Sequence, residues 1–80
     1  MPTVLRLGPY RFFFYSNEGL EPPHIHVERD SCHAKFWLET VALARSQGLP
    51  AQELRRLEGI VGEHRARFLE AWNDHFAPHA

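Results

Sequence analysis

The segment from Glu21 to Glu28, EPPHIHVE, restricts the fold of this chain more than any other part of it. The residue before Pro23 is biased toward extended backbone, and polar and aliphatic side chains then alternate with a period of two. Successive side chains of a strand point to opposite faces, so the run has one polar and one aliphatic face. The polar side chains are those of His24, His26 and Glu28. The sequence therefore predicts a strand from His24 to Arg29 that carries two neighbouring imidazoles.

A second strand is expected from Cys32 to Leu38, joined to the first at Asp30-Ser31. A hairpin with a two- or four-residue loop sets the facing pairs, which are Arg29 with Cys32, Glu28 with His33, Val27 with Ala34, His26 with Lys35, Ile25 with Phe36 and His24 with Trp37. Both strands then sort into an apolar and a polar face, whereas a slip of one residue would put His26 beside Phe36. The apolar face consists of Ile25, Val27, Ala34, Phe36 and Leu38. The polar face, here called the histidine face, consists of His24, His26, Glu28, His33, Lys35 and Trp37.

Two further strands are expected before this hairpin. The β-favouring stretch Thr3–Leu7 ends at the turn signal Gly8-Pro9. The aromatic stretch Tyr10–Tyr15 has the composition of a central strand that is buried on both faces. Ser16–Pro23, which contains a glycine and two prolines, is expected to form a loop.

The second half of the chain changes to a helical period. Glu39 or Thr40 can cap a short helix that runs through Gln47, and Gly48 suits the left-handed residue at its C-terminal end. Pro50 fits the first turn of a longer helix. The apolar stripe of that helix, at spacings of three or four, is Leu54, Leu57, Val61, His64, Phe68 and Trp72.

Strands followed by helices predict an α+β fold. We expect a small antiparallel sheet of three or four strands, followed by a short and a long C-terminal helix packed on the apolar face. Gly59 and Gly62 cost the long helix about 1 kcal/mol each relative to alanine, and we expect a close approach of the backbone there to offset the loss. The chain from 1 to 80 is predicted to form a single domain.

Size, charge and cysteine content restrict the class of protein. An 80-residue chain with 44% hydrophobic residues can form one core. A single cysteine excludes an internal disulfide, and no secretion signal or membrane span is recognisable, so we expect a cytoplasmic protein outside the membrane. Nine Lys and Arg residues against ten acidic ones give a formal net charge of −1, which argues against a broad nucleic-acid-binding surface.

The histidine face has two non-catalytic interpretations. As a plain solvated sheet face, it gains about 0.2–1 kcal/mol from each cross-strand pair such as Glu28 with His33. As a docking surface for a partner protein, it offers Trp37 as an aromatic anchor within a polar rim.

Two chemical interpretations also remain open for this face. In acid–base catalysis, His24 and His26 would give and take protons while Lys35 stabilises developing negative charge, as RNA cleavage by a 2′-hydroxyl requires. In a metal site, the two imidazoles would bind one ion, with His33 or Glu28 completing the ligand set.

Two residues outside the face carry weaker predictions. Arg11 lies inside the aromatic strand and is expected to pair with Glu18, Glu21 or Glu28, with phosphate binding as the alternative. Cys32, at the hairpin tip, is expected to be an exposed and inert thiol.

Five stretches of the chain resemble those of DUF4160, a family of small prokaryotic proteins of unknown function. They are Met1–Arg6, Tyr10–Ser16, Glu21–Val27, Ala34–Leu38 and Phe68–Asn73. The motif Glu-Pro-Pro-His-x-His-Val is the most specific of them. The positions that match the family motifs are Arg11, Glu21, Pro22, Pro23, His24, His26, Lys35 and Trp37. The chain departs from the family pattern at the hairpin tip, 30–33, and at Leu49-Pro50.

The resemblance implies a free-standing domain, a partner protein of the DUF2442 type encoded by a neighbouring gene, and a place among toxin–antitoxin-like gene pairs. We therefore expect one member of such a pair that works through His24, His26 and Lys35. If it is the toxin, we expect metal-independent RNA cleavage with the two histidines as acid and base. The expected binding residues are Arg11, Glu28 and Trp37. A non-catalytic protein-binding module and a small metal-binding protein are the alternatives, and no cofactor or metal ligand is assigned.

Overall fold

A computed structural model describes residues 3–76 as an antiparallel sheet of five strands followed by two helices. The strands are β1 (Thr3–Leu7), β2 (Tyr10–Phe13), β3 (His24–Arg29), β4 (Cys32–Trp37) and β5 (Ala42–Gln47). The helices are α1 (Ala51–Glu63) and α2 (Arg65–Phe76). The α+β prediction is confirmed, and the single-domain prediction for 1–80 extends beyond the described residues at both ends.

The strands lie in the sheet in the order of the sequence, β1 to β5, and each pairs antiparallel with the next. The register predicted for the β3–β4 hairpin is confirmed at all six pairs, from His24 with Trp37 to Arg29 with Cys32. Asp30 turns the hairpin with a positive φ of 55°. The aromatic strand is shorter than predicted, because β2 ends at Phe13 and the chain then leaves the sheet.

The short helix predicted through Gln47 is wrong, because the segment is the fifth strand. A turn with Val41 at a φ of 53° leads from β4 into β5, which pairs along β4. Alanine, leucine, arginine and glutamine are good helix formers, but propensity determines structure only weakly, and pairing with the free edge of β4 overrides it here. Gly48 does have the predicted positive φ, 83°, but it ends a strand rather than a helix.

The long helix is divided in two. Pro50 is the N-cap of α1 rather than a residue of its first turn, and His64 separates α1 from α2. The guanidinium of Arg65 follows this break and donates to the backbone oxygen of Leu38 at 2.7 Å, which ties the helix junction to the end of β4. The close backbone approach expected at Gly59 is also wrong, since a Cβ there would meet nothing within 4 Å.

The main core lies between the helices and the apolar face of the sheet. The wholly buried side chains that form it include Phe12, Ile25, Val27, Phe36, Leu57, Val61 and Phe68. The rings of Phe12 and Phe68 stack with centroids 5.5 Å apart, which joins β2 to α2. The helices thus cover the face predicted for them, and the histidine face is left to the other side of the sheet.

A polar cluster attaches α1 to the sheet. The carboxylate of Glu53, in the first turn of α1, accepts hydrogen bonds from the Tyr10 hydroxyl at 2.7 Å and from Nη2 of Arg29 at 2.9 Å. Tyr10 belongs to β2 and Arg29 ends β3, so one side chain links three elements. This cluster fixes where α1 begins over the sheet.

Candidate functional site

Two residues of the histidine face, His24 and His26, are wholly buried, with 0% of each residue exposed. The interpretation of this region as a plain solvated face is therefore wrong for both imidazoles. They are covered because the loop between β2 and β3, residues 14–23, passes back over this side of the sheet. Three residues of this loop, Tyr15, Glu18 and Pro22, contact the two rings.

The carboxylate of Glu18 lies between the two imidazoles. Its Oε1 is 2.9 Å from Nε2 of His24, and its Oε2 is 2.9 Å from Nε2 of His26. The amide of Tyr15 donates to Oε1 at 3.0 Å, which holds the carboxylate in place from within the loop. One loop side chain thus brings together two residues that strand periodicity had already placed side by side.

The other nitrogen of each imidazole also has a partner. Nδ1 of His24 lies 3.0 Å from the backbone oxygen of Pro22, which can only accept a hydrogen bond, so Nδ1 is the donor. Nδ1 of His26 lies 2.9 Å from Nε2 of His33 across the hairpin. The proline pair that begins the strand therefore also fixes the tautomer of the first histidine.

Aromatic side chains enclose the cluster. Phe13 stacks on His26 at a centroid separation of 5.4 Å, and Tyr15 meets the same ring edge-on at 4.9 Å. Trp72 of α2 lies 4.8 Å from the ring of His24. These rings exclude water from the imidazoles, which strengthens every electrostatic interaction among them.

The electrostatics favour a charged carboxylate beside a neutral His26. Burial acts to raise the pKa of Glu18, but the Tyr15 amide and the two histidines outweigh it and lower the pKa to about 2. Burial lowers the pKa of His26, against the opposing effect of Glu18. Burial, followed by the charge of Arg45, lowers the pKa of His33 as well.

Lys35 lies beside the cluster, but its ammonium group binds Glu21 of the loop and not the imidazoles. Its Nζ donates to Oε1 of Glu21 at 2.6 Å and lies 4.6 Å from the ring centroid of Trp37. The proposed catalytic lysine is therefore neutralised by a loop carboxylate. Trp37 is half-buried and contacts His24 edge-on at a centroid distance of 5.7 Å.

The remaining predicted site residues lie apart from the two buried imidazoles. Arg11 pairs with Glu28 at 3.5 Å, one of the three partners expected for it, and its guanidinium stacks over Phe13. The side chain of Glu28 is 46% exposed and completes no ligand set. Cys32 is half-buried rather than exposed, and its thiol donates to the backbone oxygen of Gly48 at 3.4 Å.

Three donor groups in this site could hold a metal ion. They are Nε2 of His24, Nε2 of His26 and the Glu18 carboxylate, whose candidate ligand atoms all lie within 4.8 Å of one another. Sequence reasoning had weighed His33 and Glu28 as the third ligand and missed Glu18. The available signal was a loop with two glutamates that leads directly into the His-x-His strand, but that signal does not specify which glutamate turns inward.

The fold and the site together define a small α+β domain with a buried His–His–Glu cluster on the histidine face, which Trp72 of α2 also contacts. The family described as Domain of unknown function (DUF4160) matches residues 10–73, and the chain belongs to this family. No match was found among curated proteins or among solved structures. Within residues 3–76, no helix is both long and apolar enough to cross a membrane.

Proposed function

We propose that this protein is a non-catalytic protein-binding module, the binding member of a two-gene toxin–antitoxin-like pair, and that its partner adds a strand to β5. The observation that carries the proposal is the exposure of β5, since all six of its residues are exposed. A strand of this kind contributes almost nothing to the core of the free protein. It offers a row of unpaired backbone groups to another chain.

The two edges of the sheet differ in this respect. In β1, Val4 and Leu5 are half-buried and pack against the core. In β5, no residue reaches the core, and Leu43 keeps 41% of its surface exposed. Natural sheets usually shield an edge of this length, and β5 carries one charged side chain, Arg45, and one irregularity, which shield its edge only in part.

The side chains of β5 indicate what the added strand presents. Leu43 faces Phe36 and therefore extends the apolar face, whereas Arg45 faces Lys35 and extends the histidine face. We infer a partner strand with an aliphatic side chain against Leu43 and an acidic one against Arg45. The resemblance to DUF4160 implies a candidate partner, the DUF2442-type protein encoded by a neighbouring gene.

The test compares two exposed leucines at opposite edges of the sheet. Leu43 of β5 and Leu7 of β1 are equally exposed at 41%, so Leu7→Glu is a matched control for Leu43→Glu. Both variants should melt like the wild type, because neither side chain is part of the core. We expect Leu43→Glu to weaken binding of the co-expressed partner at least tenfold by calorimetry, and Leu7→Glu to bind normally.

Two outcomes contradict the proposal. One is equal binding of the partner by both variants, which would place the interface elsewhere. The other is a wild-type homodimer, measured by light scattering, that becomes monomeric only in Leu43→Glu and binds no operon-encoded protein. In that case β5 pairs with a second copy of this chain.

The ribonuclease hypothesis stays a prediction. A catalytic base must come within about 3 Å of the 2′-hydroxyl that it activates. Both imidazoles are wholly buried under Glu18, so RNA would reach them only after the loop of residues 14–23 had moved away. We therefore place the binding function first.

A further inference from the structure

We propose that Glu18, His24 and His26 form a binding site for a divalent transition-metal ion of the Zn²⁺ class. Their candidate ligand atoms converge on one small volume, within 4.8 Å of one another. Two imidazole nitrogens and one carboxylate are a ligand set that zinc takes in proteins. The inference is independent of the proposed docking edge, which uses none of these residues.

The first argument comes from the inner nitrogen of His24. Its Nε2 is buried, and the one polar group of the described residues that it faces is Oε1 of Glu18, at 2.9 Å. Because Nδ1 donates to Pro22, the neutral form of the ring presents a lone pair from Nε2 to a carboxylate oxygen. Two acceptors facing each other in a buried site repel, and a metal ion between them would remove that repulsion in the place of a proton.

The second argument comes from the outer nitrogens of the two rings. Metal-binding imidazoles almost always donate their other N–H to a carbonyl, a carboxylate or water, which fixes the ring orientation. Here Nδ1 of His24 has the Pro22 carbonyl at 3.0 Å, and Nδ1 of His26 has Nε2 of His33 at 2.9 Å. With Nδ1 as the donor on each ring, both inner nitrogens, which now contact Glu18, present a lone pair that can bind the same ion as the carboxylate.

The third argument concerns charge. A cation is repelled by neighbouring positive groups, and the nearby cations are Lys35, Arg11 and Arg45. Lys35 is neutralised by Glu21 at 2.6 Å, and Arg11 pairs with Glu28 at 3.5 Å. The charge of Arg45 acts on His33, on the outer side of His26, so the charged group among the three candidate ligands is the Glu18 carboxylate.

The ligand types select among metals. Ca²⁺ and Mg²⁺ prefer oxygen ligands, whereas imidazole suits Zn²⁺ and its first-row neighbours. In a tetrahedral zinc site with bonds of about 2.0–2.1 Å, neighbouring ligand atoms lie about 3.3 Å apart. The nitrogen–oxygen distances of 2.9 Å need to lengthen by a few tenths of an ångström, and any pair of ligand atoms near the 4.8 Å limit has to move closer, so binding needs small rotations of both rings as well as of Glu18.

The experiment uses the full chain without a histidine tag, freed of metal with a chelator. Zn²⁺ binding is measured by competition with a chromogenic chelator, and Co²⁺ serves as a spectroscopic stand-in. We expect one Zn²⁺ per chain and the intense visible absorption of tetrahedral Co²⁺. Glu18→Gln keeps the shape of the side chain but weakens a ligand, and it should lower affinity at least tenfold and weaken the Co²⁺ bands.

Matched variants separate a ligand role from a structural one. His75→Ala removes a histidine of α2 that lies outside the cluster, so it should leave the stoichiometry and the Co²⁺ spectrum unchanged. His26→Ala should abolish binding. If that variant does not fold, the wild type still decides the matter, because NMR of the bound form must shift the ring signals of His24 and His26 before those of the other histidines.

Three results would overturn the proposal. The first is a folded wild type that takes up no stoichiometric Zn²⁺. The second is weak binding at several sites, which indicates adventitious association with surface histidines. The third is tight binding that Glu18→Gln leaves unchanged, because the ion would then be held by other residues.

Discussion

At the scale of single residues, a glycine determines how the end of β5 meets β4. Gly48 ends β5 with a φ of 83°, and a Cβ there would lie 3.0 Å from Sγ of Cys32. A side chain at this position meets both an unfavourable backbone region and a neighbour on β4. The Cys32 thiol also donates to the carbonyl of Gly48, so the close approach is part of how β4 and β5 meet.

Two glycine-to-alanine substitutions should therefore have opposite effects on stability. Gly48→Ala should destabilise the protein by about 1–3 kcal/mol, the usual cost of a non-glycine residue held in a rarely populated backbone region. Gly59→Ala should stabilise it by about 0.5–1 kcal/mol, because Gly59 lies inside α1 and its Cβ would meet nothing within 4 Å. Urea unfolding measures the free energy of unfolding of both variants. Destabilisation by Gly59→Ala would contradict the open space around Gly59.

The three residues of the buried cluster differ in how far the sequence predicts their positions. His24 and His26 were predictable as neighbours, since a period of two puts them on one face of a strand. Glu18 was not predictable, because the path of a loop over a sheet depends on contacts that no periodicity records. Burial of the imidazoles follows from that path, and it excludes the solvated face, one of the four interpretations, for His24 and His26.

At the scale of elements, β3 and β4 were predicted with their register because polar and apolar side chains alternate along both strands. The fifth strand was missed for a physical reason. Leu43 and Arg45 are two residues apart, yet they face Phe36 and Lys35, which lie on opposite sides of the sheet. An irregularity at this point adds one residue to β5, so the strand lacks the period of two that identifies strands.

The division of the long helix was missed for a related reason. The apolar stripe continues through His64, so periodicity alone predicts one helix. In the structure, His64 has φ −103° and ψ 13°, outside the helical range, and Arg65 reaches the end of β4. Gly62, two residues before the break, is a poor helix former, and the attachment of Arg65 to the sheet acts at the same place.

The attachment of α1 to the sheet gives an element-scale prediction. Hydrogen bonds from Arg29 and then Tyr10 lower the pKa of Glu53 from its ordinary value of 4.5. A lowered folded-state pKa means that this carboxylate stabilises the fold above pH 4.5 and loses that effect as the pH falls through the lowered value. Glu53→Gln should therefore lower the melting temperature near neutral pH, and the gap to the wild type should narrow in acid.

Thermal unfolding followed by circular dichroism at several pH values provides the measurement. Glu58→Gln is the control, because Glu58 lies in the same helix and is exposed. It should melt close to the wild type across the range. A gap between Glu53→Gln and the wild type that stays constant into acid would mean that the carboxylate charge contributes nothing to holding α1 on the sheet.

At the scale of the whole molecule, the two sides of the sheet have different roles. One side supports the helices and supplies the core, and the other buries a polar cluster under a loop. Neither the core nor the His–His–Glu cluster includes a residue of β5, which lies at the edge of the sheet. The proposed docking edge and the proposed metal site are therefore separable, and a variant of one should leave the other intact.

The final prediction concerns what this protein does when it is made alone in a bacterial host. A binding module with buried imidazoles should leave growth normal and total RNA intact after tightly controlled induction. Lys35→Ala is the informative variant, because the catalytic hypothesis needs Lys35 and neither the docking edge nor the metal site does. Growth arrest with RNA breakdown that Lys35→Ala and His26→Ala both abolish, in proteins that remain folded, would replace the binding function with a histidine-dependent ribonuclease. Arrest that persists in both variants would point to toxicity through a bound host protein, and Leu43→Glu should then relieve it.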